Sequence, residues 1–167
     1  MSVDWGAVYR DTCPALVRFL YRKVWDADRA QDLAQETFVR ALRHEPENPR
    51  AWLFHAAANL ARDEARRTLT RRRHLMLLHD EARGAAREEE TETMQRSERI
   101  DAVRAALDQL AERDRDALLL REAGLSYPEI AAELGLAVGS VGTTLARARQ
   151  RLVRAYTALE EKHAARG

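Results

Sequence analysis

The chain has 167 residues, enough for one ordinary domain or two small ones. Charged residues make up 33% and aromatics 6%, with only 7 glycines and 4 prolines, which suits small helical domains with solvated outer faces and argues against a turn-rich all-β fold. A formal net charge of +1 is too weak for a protein that holds DNA unaided, so any DNA contact must rest on local charge, and a lone Cys13 rules out an internal disulfide or a multi-thiolate metal site.

The first elements read as helices. Trp5, Val8 and Tyr9, then Leu16, Phe19 and Leu20, recur at helical spacing, with Pro14 predicting a break or kink near Cys13. Cys13 itself reads as a small, semi-buried residue. A second helix is expected from about Ala30 to Arg43, with an apolar stripe of Leu33, Thr37, Phe38, Ala41 and Leu42. On its other side Asp32, Gln35 and Glu36 stand three and four apart and share a compact polar face, able to pair with basic side chains of another protein. The segment His44–Asn48 carries Pro46, has no periodicity and ends this helix; Pro49 follows it. A third helix then starts cleanly, with Asn48 as N-cap and Pro49 at the first helical position. Trp52, Leu53, Ala56, Ala57 and Leu60 form its expected buried face, and its C-terminal half is arginine-rich, in keeping with the negative end of a helix dipole.

From about Arg73 to Ser97 the apolar pattern weakens and an acidic run, Glu88 to Glu92, appears, which predicts a flexible linker. Periodicity returns at Ile100, Val103, Leu107 and Leu110 and continues to Leu159. The expected division is 1–72, 73–98 as linker, and 99–167. Ser126 with Glu129 three residues on makes a capping box, Gly135 is placed to end that helix in the left-handed conformation, and Ile130, Leu134, Leu136 and Val141 fill the space before the next helix. These are the features of a helix-turn-helix. The following helix buries Val141, Leu145, Ala148 and Leu152 and turns Ser140, Thr143, Thr144, Arg147 and Arg151 outward. Hydroxyls near the start and arginines further along are suited to base edges and phosphates in a major groove.

The order of these elements resembles the extracytoplasmic-function group of bacterial sigma factors, which retain only the second and fourth regions of the larger family. The stretch from Asp32 to Leu42 is similar to the core-binding helix of region two, Trp52 to Arg67 to its promoter-melting helix, and Leu107 to Leu152 to the region-four helix-turn-helix. The resemblance runs from about Tyr9 to Tyr156 and implies two all-α domains. It further implies that Asp32, Gln35 and Glu36 dock on the clamp helices of the polymerase largest subunit. Asn48, Asn59, Arg62 and Arg66, with the loop from His44, would hold the single-stranded minus-ten element, and Ser140, Thr143, Thr144, Arg147 and Arg151 would read the minus-thirty-five duplex. An anti-sigma factor is an expected partner, as is a role in a stress or envelope response. The family often carries a basic residue where this chain has Gly142 and a small–basic pair at Thr143–Thr144, so promoter sequence does not carry over. A stand-alone helix-turn-helix regulator, with the first half used for dimerisation or sensing, is the alternative.

Catalysis is not expected. His44, His55, His74, His79 and His163 show neither metal-helix nor acid–base spacing, there is no glycine-rich phosphate loop, and no cofactor is implied. No apolar run approaches the roughly 20 residues of a membrane span, and the N-terminus lacks a basic stretch followed by an apolar core, so a cytoplasmic protein without membrane insertion is expected.

Overall fold

The computed structural model describes residues 2–76 and 91–167, and among them it contains seven helices and no strand. The chain divides into two compact units, one built on the first three helices and one on the last four.

In the first unit, α1 (Trp5–Val24) starts at Asp4, whose carboxylate accepts from the Ala7 amide at 3.0 Å. It buries Thr12, Leu16, Phe19 and Leu20. The helix is not broken at Pro14, which lies inside α1. Pro14 and Arg10 both lie on the exposed side, so the carbonyl that loses its partner is open to water, while the buried residues on the other side hold the helix in register. The helix ends at Trp25, a non-glycine residue in the left-handed region (φ 56°) whose amide returns to the Tyr21 carbonyl at 2.7 Å.

Helix α2 (Ala27–Ala41) begins three residues earlier than its apolar pattern suggests because Asp26 caps it, accepting from the Arg29 amide at 2.9 Å. It buries Ala30, Leu33, Ala34, Thr37, Phe38 and Ala41, and the buried Thr37 hydroxyl is satisfied by donating to the Leu33 carbonyl at 2.7 Å. Leu42, expected in the buried stripe, is instead 66% exposed, because the helix has ended and Leu42 serves as its C-cap. Helix α3 (Pro49–Met76) opens as the sequence indicates, with the Asn48 side chain accepting from the Ala51 amide at 3.0 Å. Its buried face is Leu53, Phe54, Ala57, Ala58, Leu60 and Ala61, whereas Trp52 and Ala56 are only half-buried. Phe54 meets Phe19 edge-on at 5.4 Å between centroids, and Phe38 meets Tyr9 at 4.8 Å, so aromatic edges join the helices pairwise. Beyond Ala61, Arg62 and Glu64 are half-buried and Ala65–Leu75 is exposed throughout.

The second unit comprises α4 (Thr91–Asp108), α5 (Glu112–Glu122), α6 (Tyr127–Leu134) and α7 (Val138–Ala164). Its core is assembled from Ala106, Leu107, Leu110, Ala117, Leu119, Leu120, Ile130, Ala131, Val141, Leu145 and Ala148. The capping box is formed in both directions: Ser126 Oγ accepts from the Glu129 amide and Glu129 Oε2 accepts from the Ser126 amide at 2.7 Å. Gly135 adopts φ 63° and returns its amide to Ala131, so the chain turns sharply into α7. Leu134, Leu136 and Leu152 are half-buried at the margins of this core. Of the segment read as linker, 77–90 lies outside the described residues; α3 enters it as far as Met76 and α4 begins at Thr91.

A polar helix face and two candidate nucleic-acid interfaces

Three surfaces carry the candidate residues. On α2, the buried positions fix the opposite side as the outward face. Asp32 and Gln35 are exposed there and Glu36 is half-buried. Asp32 stands 4.0 Å from Arg29 and Glu36 accepts from Arg40 at 2.6 Å, so the two acids are steadied by arginines of their own helix. The structure adds what the charge pattern did not show: Val39, 59% exposed, lies between these acids and the exposed Leu42. The face therefore sets two arginine-paired acids beside two exposed apolar side chains, Val39 and Leu42.

On α3, Trp52, His55, Asn59, Arg62 and Arg66 follow one another at spacings of three and four along the side away from the core. Arg62 donates to Asn59 Oδ1 at 2.8 Å, and Asn59 Nδ2 lies 3.2 Å from His55 Nε2. The His44 ring packs on Trp52 with centroids 4.9 Å apart and planes inclined by 36°. Together with Arg40 and Arg43 these residues line an open cleft of about 340 Å³ between α3 and the end of α2. An aromatic wall, polar side chains able to donate and accept, and flanking cations form a suitable receptor for an unstacked base and its phosphates. Of the residues singled out from sequence, Asn59 lines this cleft and Arg62 supports it from one turn on, while Arg66 continues the row outside it and Asn48 spends its side-chain oxygen on capping α3. His44, Trp52 and His55 help to complete the cleft: Trp52 and His55 share the helical row of Asn59, and only the approach of the loop after α2 brings His44 onto Trp52.

The charge of the same helix is set in part by its neighbour α2. Arg62, Arg66, Arg67, Arg71, Arg72 and Arg73 are interrupted by Asp63 and Glu64. Arg29 of α2 takes Glu64 in a two-pronged contact, with both N–H···O distances 2.8 Å. That hydrogen bonding, aided by Arg67 and Arg71 and opposed by burial, holds the Glu64 carboxyl below the ordinary glutamate range and raises Arg29. With Glu64 answered by Arg29, the exposed Asp63 stands among the arginines from Arg62 to Arg73, and this half of α3 keeps a net positive charge.

On α7, burial of Val141, Leu145 and Ala148 turns Ser140, Thr143 and Arg147 outward in one exposed row, while Thr144 is half-buried on its flank. Arg151 is committed elsewhere. Its guanidinium pairs with Asp114 of α5, a carboxylate whose side chain is only 9% exposed. The sequence pattern placed Arg151 with the DNA-facing residues; in the structure its charge is already met within the unit, and it ties α5 to α7. At the other end of this motif Arg121 stacks over the Tyr127 ring, 5.2 Å from its centroid. No group of three or more metal-ligating side chains occurs among the described residues, and no described helix is long and apolar enough to cross a membrane.

Comparison with known families and proteins matches both units. Residues 8–72 match the family described as Sigma-70 region 2, and residues 100–152 match Sigma-70, region 4. The chain is 38% identical over 147 residues to the ECF RNA polymerase sigma factor EcfG of Rhodopseudomonas palustris, covering 83% of this chain and 77% of that one. It is 35% identical over 155 residues to the ECF RNA polymerase sigma factor SigE of Mycolicibacterium smegmatis, an alignment covering 89% of this chain and 60% of that relative's length. Among solved structures it resembles the sigma factor RpoE of Bartonella quintana, crystallised with the anti-sigma factor NepR, with a TM-score of 0.67 at 25% identity, over 92% of this chain and 97% of that one.

Proposed function

The chain belongs to the extracytoplasmic-function sigma factors of bacterial RNA polymerase, and on that premise we propose that it brings the core enzyme to promoters through three separate surfaces. The face of Asp32, Gln35 and Glu36, with Val39 beside them, docks on the clamp helices of the largest polymerase subunit. The cleft at His44, Trp52, His55 and Asn59, with Arg62 and Arg66 beyond it, captures the minus-ten element as a single strand. The outward row of α7 reads the minus-thirty-five element as duplex. The working domain limits are proposed as 1–72 and 99–167, ends that fall within α3 and α4 and enclose the family matches at 8–72 and 100–152. An anti-sigma factor is proposed to hold the chain until a signal releases it, as the complex of the Bartonella relative suggests. Sigma factors are DNA-binding initiation factors rather than enzymes, and this one is proposed to act in the cytoplasm, beside the polymerase.

The observation that carries this reading is the pairing of the polar face of α2, flanked by Val39 and Leu42, with the base-sized cleft of α3 in one unit. A stand-alone regulator has use for the helix-turn-helix of the second unit but for neither of these. Run-off transcription with core polymerase and mapping of the start sites tests it. Specific starts that appear only when the chain is added support the proposal. A chain that protects duplex DNA alone and does not co-purify with core polymerase would be a stand-alone regulator instead. Within the holoenzyme, Arg62→Ala with Arg66→Ala should retain upstream duplex binding and lose permanganate-reactive thymines on a closed template, with recovery on a pre-melted one.

A further inference from the structure

The reading end of α7 has an unusual composition. From Glu122 to Ala146 there is no lysine, arginine or histidine, and Glu122, Glu129 and Glu133 give these 25 residues a formal charge of −3. The stretch includes all of α6, the turn at Gly135 and the first two turns of α7. Arg121, just before it, is stacked on Tyr127. On α7 the first cation is Arg147; Arg149 lies off its row, Arg151 is held by Asp114, and Arg154 stands two turns further from the reading end. What this stretch of α7 presents outward is Val138, 49% exposed, then Gly139, Ser140, Thr143 and Ala146, none of them charged. Around Gly139 nothing stands within 4 Å of where a Cβ would be, so bare backbone is exposed there and the helix can sit deep against a groove floor.

These groups differ from arginine in what they can read. The major-groove edge of guanine offers two acceptors side by side, and the side chains that grip it are two-pronged cations. A serine or threonine hydroxyl gives one donor and accepts as well, so it fits either purine without gripping guanine as a two-pronged cation does, and the discrimination toward A·T comes from the threonine methyl, which can pack on the methyl of thymine. We propose that Ser140 and Thr143 make the first two turns of α7 read A·T pairs, and that guanine recognition in the upstream promoter element is confined to the single step facing Arg147. This rests on the proposal that α7 is the duplex-reading helix, and it adds the class of sequence that the helix selects.

The test uses full-length protein with core polymerase on duplex promoters in which the upstream element of a mapped promoter is randomised, and bound fragments are sequenced. Wild type should enrich A·T pairs over consecutive steps and a G·C pair at one step. Arg147→Ala should lose that G·C preference by about tenfold and keep the A·T steps. Thr143→Arg, an exposed substitution that the helix tolerates, should acquire a new G·C preference of about tenfold at a step wild type fills with A·T. Enrichment by wild type of two or more adjacent G·C pairs that survive Arg147→Ala would overturn the inference while leaving α7 as the reader. Polymerase-dependent binding with no base enriched anywhere in the upstream element would overturn both the inference and the assignment of α7.

Discussion

The helices proposed to touch DNA in the two units are treated in opposite ways by their neighbours. In the first unit an arginine of α2, Arg29, takes an acid of α3, Glu64, and leaves the outward side of that helix more basic. In the second unit an acid of α5, Asp114, takes an arginine of α7, Arg151, and leaves that helix less basic. The two ion pairs are mirror images in sign. The lesson is that the count of cations on a helix does not measure the charge it can offer a phosphate backbone. α3 is equipped to hold and distort a strand by charge, and α7 to inspect a duplex through short polar groups. The reading end of α7, without cations, then depends on affinity supplied elsewhere, and the proposed docking of the first unit on polymerase would supply it, which accounts for a net charge of +1.

The largest effect should come from removing that supply. Asp32→Arg with Glu36→Arg reverses both acids of the α2 face at positions outside the core, and should weaken co-purification with core polymerase by about a hundredfold or more with an unchanged circular dichroism spectrum. Undiminished co-purification would mean that polymerase is held elsewhere and would remove the reason given for the weak charge of α7.

The next effect separates two arginines of α7 that look alike in sequence. Arg151→Ala leaves the Asp114 carboxylate buried without its partner and should cost about 1–3 kcal/mol in thermal unfolding, with little change in the salt dependence of duplex binding. Arg147→Ala should do the reverse, leaving unfolding unchanged and lowering the salt slope by about one phosphate or base contact. If Arg151→Ala alters only the salt slope, the second ion pair is not structural and the mirror image fails.

The matching pair in the first unit is tested by acid. Glu64 sits below the ordinary glutamate value of 4.5 when folded, because Arg29 favours its charged form. Its contribution is therefore fully present above that value and is lost as pH falls through the lower folded one. Arg29→Met should be destabilised by about 1 kcal/mol at pH 7, allowing for water around a side chain that is 35% exposed, and the gap from wild type should close in thermal melts taken at progressively lower pH below about 4.5. A gap that is constant with pH would reduce Arg29 to a packing residue. The smallest effect is expected at Gly142. A Cβ there would lie 3.7 Å from the Tyr127 ring, an ordinary contact, so Gly142→Ala should raise stability by about 0.5–1 kcal/mol through helix propensity. A loss of stability would show that α7 needs a flexible start.

Much of the architecture was legible along the chain wherever the deciding interactions are local. Asn48, Ser126 with Glu129, and Gly135 were each placed correctly because a cap is settled within three or four residues. Pro14 misled because its cost depends on whether the freed carbonyl reaches water, and Leu42 because a stripe does not reveal where a helix stops. The cleft was half visible: Asn59, Arg62 and the His44 loop could be proposed, but the stacking of His44 on Trp52 depends on how α2 hands the chain to α3.

The residues alone determined the helical class, the order of the elements, the helix-turn-helix with its caps, and the cation-free run from Glu122 to Ala146, since each follows from composition, periodicity or neighbours a turn away. Tertiary structure alone decided which charges remain available. Glu64 is answered by a residue 35 positions earlier and Arg151 by one 37 positions earlier, and helix packing, not spacing, brings such partners within reach.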